Sequence, residues 1–540
     1  MPVPNIPTGV AAVTVYINGT VLSNAIALQT VNVGKTFNKV AWAKLAFDDG
    51  TAAQQDFPLS DGDNMKPGSE IKIDIGYQGN TATIFQGIIV KHAIKIRQAG
   101  NSMLLIEAKD KAIQLTGARK SNYYANQKDS DVITSLGAAF SPSVDATNTT
   151  YPQLVQFDCT DWDFILTRAE ANSMLVLTDD NTLIVKKPDT SIPPIMAATY
   201  GVNILEFDSE MDARRQAVSI TAHSWDYTKQ QVEQSSAGTA SFTENGNIPS
   251  TDLATVLASD VELNSTGHLT QDQLQDWSDA YQLRNQLSKA VGRVKVLGNS
   301  DVKPGTMITL SGVGDRFNGN VFVTGILHQY NGAWTTDVQF GWREDWFYKK
   351  EDVMDKPAAG LLPGITGLQV GVVVDTSDND PDGQYRLKVH IPSITASNTG
   401  IWARVAMPDA GANRGVYFRP QVGDEVMLGF INDDPREPVV LGCLPSKDNK
   451  TSPLPAQQGS LQSGIVTKEG LKLVFDDTAK TMTLTVPTGT GEKSITINDS
   501  SGAMELKDEN QNSIKMDSSG ITISSGAGNV TIKGVMVAIN

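Results

Sequence analysis

Residue types that often build chemical sites are scarce in this 540-residue chain, which has two cysteines and five histidines. Cys159 and Cys443 are too few for a disulfide framework and lack metal-binding spacing. Cys443 ends an apolar segment, so we expect a buried structural thiol there. The histidines are His92, His223, His268, His328 and His390. No two lie close together in sequence, which predicts structural histidines, no metal site and no cofactor.

Positive charge is also in short supply. The chain has 44 Lys and Arg against 60 Asp and Glu, a formal net charge of −16. A general nucleic-acid binder needs a basic surface to displace counterions, so this balance argues against nucleic acid as a partner and favours proteins.

Long apolar runs are missing as well, and none reaches the length of a membrane span. The first residues, Met1 to Asn5, lack the basic and apolar regions of a secretory signal. We therefore expect synthesis and folding in the cytoplasm. Any export would then depend on a machine that carries the protein out.

Motifs of catalysis are absent or incomplete. Residues 378–383 imitate the first half of a calcium loop, but its twelfth position is Val389 where calcium needs a glutamate, so a hairpin is favoured. Residues 312–314 lack the third glycine and the helix of a dinucleotide site. The adjacent aspartates at 433–434 and 476–477 have the pattern of turns. These patterns predict a protein that is not an enzyme.

The abundant features are strands and turns, in a chain too long for one core. In the region 1–358, alternation ending at Asn18-Gly19 predicts a hairpin, and strands are expected at 70–77, 82–96 and 103–108 in a closed or half-closed barrel. Two helices are expected. One is capped at Thr160 or Asp161, and the other runs from about Thr270 to about Val294.

The region 362–446 has the pattern of a small barrel. Val426, Leu428 and Phe430 alternate on one strand, residues 433–435 turn the chain, and Val439 to Leu441 return beside it. A Pro-, Ser- and Gln-containing linker at 447–462 follows. The fold class is therefore mainly β with a few helices, in several domains.

In the last region, 463–540, short strand-like fragments recur between Gly, Asp, Asn and Ser. Leu473, Leu484, Ile495 and Leu506 are spaced by 11 residues each. Fragments this short cannot bury their aliphatic side chains alone, so neighbouring copies must cover them. An intertwined trimeric β-prism is favoured over a single-chain solenoid. Its predicted core consists of Leu473, Leu484, Ile495, Leu506, Ile514, Ile521, Ile523 and Ile532.

Several spaced motifs, including those of 401–444, 84–87 with His92, and 160–172, resemble the VgrG-type spike proteins of contractile injection systems. Tyr385 before Arg386 is closer to the extracellular injection systems than to type VI secretion. The resemblance implies that the hub at 1–358 contains two tube-like β-barrel domains per chain. It further implies an OB-like barrel after the hub, and a C-terminal intertwined triple-stranded β-helix that forms a needle. It also implies a homotrimer that engages an inner tube protein, baseplate proteins and a PAAR-type tip protein.

The last residues are almost wholly apolar, and the resemblance implies that they form the tip-protein platform. That platform would consist of Val535, Val537, Ile539 and Asn540. The implied function is a spike at the tip of the inner tube that contacts a target membrane only mechanically. One alternative is the spike of a cell-anchored type VI secretion system. Another is a trimeric adhesin or carbohydrate-active β-protein.

Overall fold

The computed structural model describes residues 9–97, 102–226, 229–238, 242–265, 267–343, 345–350, 353, 356–397, 399–445, 454 and 461–539. It divides into two compact units, Met1–Asp355 and Lys356–Asn540. Both units are dominated by strands, and this confirms the predicted mainly-β class. None of the helices in the described residues is long and apolar enough to cross a membrane.

The first unit contains strands from both ends of its sequence. They are β1 (Ala11–Ile17), β2 (Thr20–Val21), β3 (Leu28–Thr36), β4 (Trp42–Asp48), β5 (Glu70–Tyr77), β6 (Asn80–Lys95), β7 (Met103–Lys109), β8 (Arg119–Lys128), β9 (Ser143–Val144), β10 (Thr150–Thr160), β11 (Leu175–Asp179), β12 (Thr182–Lys186), β13 (Met196–Thr199), β14 (Ile204–Met211), β15 (Ser219–Asp226), β16 (Gln231–Ser236), β17 (Asp260–Ser265), β18 (Ala290–Leu297), β19 (Met307–Ser311), β20 (Gly319–Tyr330) and β21 (Trp334–Phe340). Its α-helices are α1 (Asp129–Leu136), α2 (Asp161–Ala171), α3 (Ser250–Ala254) and α4 (Gln271–Ser288).

A 13-stranded sheet organises this unit, in the order β14-β18-β21-β20-β3-β4-β7-β6-β5-β1-β2, with β13 and β19 joined at β20. The pairing of β20 with β3 connects the late strands to the early ones. Two separate hydrophobic cores lie along this path, one around Val33, Phe47 and Phe85 and the other around Val294 and Phe340. The division of the hub into two barrels remains a prediction, because the described strands form one sheet path.

Local signals in the sequence account for the turns and helix starts. Asn18 and Gly19 both have positive φ, 49° and 80°, as a type I′ hairpin turn requires. Thr160 caps α2 by accepting a hydrogen bond from the amide of Asp163, and Thr270 caps α4 in the same way. These three predictions are confirmed.

The expected end of the long helix was wrong. α4 stops at Ser288, and residues 290–297 form β18 between β14 and β21. Val291 and Val294 fit the helical spacing, but β-branched side chains suit a strand, and tertiary pairing decides the outcome.

A buried cation connects distant parts of the first unit. Lys35 on β3 is 1% exposed, and its ammonium group contacts the carboxylates of Asp179 and, at 2.9 Å, Asp180. Asp179 also accepts from Lys303 at 2.8 Å. Burial alone would raise the pKa of Asp179, but Lys35 and Lys303 together have the larger, opposite effect. The net pKa lies below the usual value, so the carboxylate stays ionised.

The second unit contains a closed five-stranded barrel built from β22 (Gln369–Asp375), β23 (Leu387–His390), β24 (Ile401–Val405), β27 (Glu425–Phe430) and β28 (Pro438–Cys443). Around the barrel the order is β22-β23-β24-β28-β27. Its buried core includes Val373, Leu387, Val389, Val426 and Leu428. The structure thus confirms the predicted return of Val439–Leu441 beside Val426–Phe430. Two short strands of the same region, β25 (Ala410–Gly411) and β26 (Arg414–Gly415), pair with each other.

The carboxy-terminal region is a seven-stranded antiparallel sheet in which each strand pairs with its neighbour in sequence. The strands are β29 (Gln462–Val466), β30 (Lys472–Asp476), β31 (Thr481–Thr488), β32 (Gly491–Asn498), β33 (Ala503–Lys507), β34 (Ser513–Asp517) and β35 (Gly520–Ser524). The backbone ladder therefore lies within one chain. This differs from intertwined strands, in which the ladder would run between chains.

Two details of this region correct the prediction. β29 is a strand at 462–466 that the expected fragments did not include; it shares only residue 462 with the expected linker, most of which lies outside the described residues. The expected fragment at 530–532 is not a strand, although its residues alternate. The glycines at 526 and 528 lie in the turn before it, and the backbone of the described tail, up to residue 539, does not continue the ladder.

Candidate assembly face of the carboxy-terminal sheet

One face of the seven-stranded sheet carries an unbroken row of aliphatic side chains. Register places each of these residues directly opposite the next across neighbouring strands. This first row consists of Ile465, Leu473, Leu484, Ile495, Leu506, Ile514 and Ile523. The 11-residue spacing in the sequence therefore corresponds to cross-strand partners.

A second row runs parallel to the first on the same face, two residues away along each strand. It consists of Phe475, Met482, Ile497, Met504, Met516 and Ile521. The sequence prediction contained only Ile521 of this row. The period-two alternation with the first row was the signal that could have found the others. We refer to the two rows together as the apolar face.

In the single chain the apolar face is open. Leu484, on the third of the seven strands, is 44% exposed, and Ile521, on the last strand, is 72% exposed. The opposite face is better covered: Thr485 is buried, and Thr483 and Thr496 are half-buried. Fully burying one such apolar side chain is worth about 1.5–3 kcal/mol. Two rows left in water therefore give a strong drive towards association.

Two grooves follow the apolar face. One, of about 830 Å³, lies between the first row and the tail after β35, and is lined by Leu484, Leu506, Ile514 and Val530. The other, of about 510 Å³, is lined by second-row residues including Phe475 and Met504. Both grooves are open, so a partner surface can enter without rearranging the sheet.

Lys493 lies on the apolar face, two residues from Ile495, and lines the groove of about 830 Å³, whereas other charged groups of the sheet lie away from that face. Lys515 and Asp517 are on the other face and pair at 3.0 Å. The Ser519 hydroxyl and Lys515 lower the pKa of Asp517 to about 2. Asp508 lies in a turn, where it accepts from the amides of Asn510 and Asn512. An approaching copy would meet the carbon and sulfur of the two rows, with the exposed Lys493 and its partner Glu509 beside the first row.

The remaining predicted residues lie outside the strands. Ile532 is exposed in the tail and is not part of either row. Val535, Val537 and Ile539 are also exposed. Asn540 lies outside the described residues. The proposed roles of these residues in the core and in tip binding stay predictions.

The histidines lie in separate environments. His92 contacts Ser60 and the Met65 carbonyl, and His390 contacts the Thr399 carbonyl. His328 is fully buried, with its Nδ1 at 2.9 Å from the Thr336 hydroxyl. Burial, Lys35 and Lys303 lower the pKa of His328 to about 3. Within the described residues no cluster of His, Cys, Asp or Glu has the arrangement of a metal site.

His328 gives the first unit a predictable pH dependence. Below pH 6.5 the unfolded chain binds a proton at this residue, and the folded protein does so only near pH 3, so stability falls as the pH falls. Between pH 6.5 and pH 5 this costs about 2 kcal/mol in the free energy of unfolding. Urea unfolding should show that loss in the wild type relative to His328→Leu. Equal pH dependence in both proteins would contradict it.

The calcium-like loop is closed by a protein cation. Asp380 accepts hydrogen bonds from the amides of Asp382, Gln384 and Arg386. The Arg386 guanidinium pairs with Asp380 at 2.7 Å and also contacts Asp382. These hydrogen bonds hold the pKa of Asp380 far below its usual range. Tyr385, which precedes Arg386 in the sequence, has a positive φ of 59°. Asp380 therefore has its charge balanced without a metal ion.

Replacing Arg386 tests whether its ion pair with Asp380 stabilises the loop. We expect Arg386→Gln to lower the melting temperature of the barrel, because the Asp380 carboxylate loses its partner. Arg414→Gln, at an exposed pair 3.9 Å long, is the control and should have little effect. Calcium should not change the wild-type melting temperature. A rise on adding calcium would show that the loop binds the ion.

The prediction for Cys443 was wrong. Cys159 is buried, whereas Cys443 is exposed at the end of β28. The apolar pattern of β28 ends before Cys443, and the buried core of the barrel includes Val440 but does not extend to this thiol. Partial burial still raises the pKa of its thiol, which leaves Cys443 protonated near neutral pH.

Comparisons with family models cover most of the chain. Residues 7–332 match the Alg8 N-terminal domain, and residues 369–444 match the type VI secretion system/phage-baseplate injector OB domain. Residues 485–540 match the phage baseplate V C-terminal trimerisation domain. The last match includes most of the apolar face.

Among curated proteins, the chain is 33% identical over 94 residues to the type VI secretion system spike protein VgrG5 of Pseudomonas aeruginosa, covering 16% of this chain and 12% of that protein. It is 34% identical over 86 residues to the spike protein VgrG3 of Vibrio cholerae, covering 15% of this chain and 8% of that one. The matched segments thus span a small part of these relatives.

Among solved structures, a tail protein from Neisseria meningitidis MC58 aligns with 63% of this chain and 98% of its own, at 16% identity and a TM-score of 0.46. An E. coli component of the type VI secretion system aligns with 80% of this chain and 99% of its own, at 12% identity and a TM-score of 0.39.

The barrel, the trimerisation domain and the curated relatives define a phage-baseplate type of spike protein. The chain belongs to the VgrG-like family of such spikes, and its amino-terminal part belongs to the Alg8 N-terminal domain family.

Proposed function

We propose that this protein is a structural, non-enzymatic homotrimer that forms the spike at the tip of the inner tube of a contractile injection system. The observation that carries the proposal is the apolar face, two rows that one chain leaves in water. Three copies that turn these rows towards a common axis would bury them and leave the Thr- and Lys-bearing faces outside. The match to a trimerisation domain at 485–540 supports this arrangement.

The resulting needle would be short and stiff. Seven strands spaced about 4.8 Å apart give a sheet about 30 Å long across its strands, and each backbone ladder is complete within its own chain. Sheath contraction elsewhere would supply the energy for piercing a target envelope. The spike would contribute rigidity and would contact the membrane only mechanically.

The other partners follow from the same proposal. The first unit would act as a hub against the inner tube protein and the baseplate proteins, and the exposed tail would bind a PAAR-type tip protein. We expect no nucleic-acid partner, and the net charge of −16 supports that expectation.

Deleting residues 534–540 tests the tip assignment. The deletion removes Val535, Val537 and Ile539, which lie outside the seven strands, so the trimer should persist. A pull-down with a purified PAAR-type tip protein should lose its signal. A deletion of residues 9–10, at the start of the described first unit, serves as the control and should keep binding. Undiminished binding after removal of 534–540 would contradict the assignment.

We place the spike in an extracellular particle, assembled in the cytoplasm and delivered outside on release or firing. A cell-anchored type VI secretion machine is the second candidate, and the curated type VI spikes favour it. Fractionation of the producing culture distinguishes the two. Sedimenting, contractile particles in the medium that contain this chain would support the first, and retention of the chain with intact cells would support the second.

A further inference from the structure

The two rows of the apolar face differ in chemistry. The first row is wholly Leu and Ile, whereas the second contains Met482, Met504 and Met516. Met504 lies directly opposite Met516, and Ile497 separates Met504 from Met482. Three thioethers therefore lie along one line of the sheet.

These thioethers are open to solvent in the free chain. Met482, Met504 and Met516 are 39%, 44% and 39% exposed, and Met482 and Met504 line the groove of about 510 Å³. Other methionines of the chain provide references for fast and slow reaction with peroxide. Met536 in the tail is 87% exposed, whereas Met174 and Met307 are buried in the first unit.

We propose that Met482, Met504 and Met516 form an oxidation-sensitive row that peroxide can modify in the free chain and that assembly of three chains protects. In each reaction the O–O bond of hydrogen peroxide breaks, an S–O bond forms, the sulfur loses two electrons and the peroxide leaves as water. The inference rests on the proposed trimer, because the occupant that covers the row is the same face of the other two copies.

Oxidation would block assembly. A sulfoxide is polar and accepts hydrogen bonds, and the apolar face offers it neighbouring Phe, Ile and Met side chains without donors. Because three chains would meet along the same row, each modified chain brings this unsatisfied polar group into the interface. Chains oxidised before assembly would remain single, and assembled spikes would resist the same oxidant.

Peroxide footprinting of the full-length protein tests protection. Sulfoxide formation is followed by peptide mass spectrometry, with Met536 as the fast reference and Met174 as the slow one. In the wild type the three second-row methionines should react at least tenfold more slowly than Met536. In Ile495→Lys, which we expect to be monomeric, they should react within about threefold of Met536. Reaction at the rate of Met536 in the wild-type trimer would overturn the proposal.

Substitution of the three methionines tests the effect of polarity on assembly without an oxidant. The triple variant Met482→Gln, Met504→Gln and Met516→Gln imitates the polarity of sulfoxide, and we expect its trimer fraction to fall at least tenfold. The matched variant with three Met→Leu changes should assemble as the wild type does. Normal assembly of the glutamine variant would overturn the proposal. A monomeric wild type would instead refute the trimer itself, so the two failures are distinguishable.

Discussion

Ile495→Lys should convert the trimer into single chains. Ile495 is in the middle of the first row, opposite Leu484 on one side and Leu506 on the other. Three copies of the variant would bury three ammonium groups at the shared axis, at a cost of several kcal/mol per ion. Each 1.4 kcal/mol changes an equilibrium tenfold, so assembly should weaken by at least a thousandfold. Sedimentation or mass photometry of the purified variant measures this directly.

The neighbouring residue supplies the control. Thr496 lies on the opposite face, between Thr483 and Glu505, so Thr496→Lys places the same charge one residue away beside a carboxylate. This variant should stay trimeric. Trimers of Ile495→Lys as stable as those of Thr496→Lys would show that the apolar face is not the interface.

Lys35→Met should strongly destabilise the first unit. The variant removes the ammonium group that neutralises Asp180 and shares Asp179 with Lys303. Breaking a buried ion pair from one side typically costs 3–5 kcal/mol. Because Lys303 still faces Asp179, we expect about 3 kcal/mol. Chemical denaturation followed by tryptophan fluorescence, which reports the buried Trp334 and Trp342 of this unit, gives the value.

An exposed pair provides the comparison for Lys35. Lys66 pairs with Asp63 at 3.2 Å on the surface of the same unit, and such pairs contribute about 0–1 kcal/mol. Lys66→Met should therefore have little effect. If the two variants lost similar stability, Lys35 would not hold β3 against the turn that follows β11.

Much of the carboxy-terminal sheet was predictable from the sequence, because strand spacing and turn residues are local properties. The even spacing of Leu473, Leu484, Ile495 and Leu506 corresponds to real cross-strand contacts. The second row was overlooked because its Phe and Met residues lack that even spacing. Whether the ladder ran within or between chains could not be read from the pattern, since both arrangements show the same alternation.

In the first unit, long-range pairing limited the prediction. The turn at Asn18-Gly19 and the cap at Thr270 depend on adjacent residues and were found. The end of α4 depends on pairing of residues 290–297 with β14 and β21, about 80 residues before and 40 residues after it in sequence. The contact of Lys35 with Asp179 joins residues 144 positions apart, and no local pattern reveals it.

In the proposed spike, two further copies of the same chain close the apolar face. The most direct measurement is the native mass of the purified full-length protein, by sedimentation equilibrium across a wide concentration range. We predict three times the mass of the single chain, with no change on dilution. A stable single chain with its apolar face in water would contradict the account.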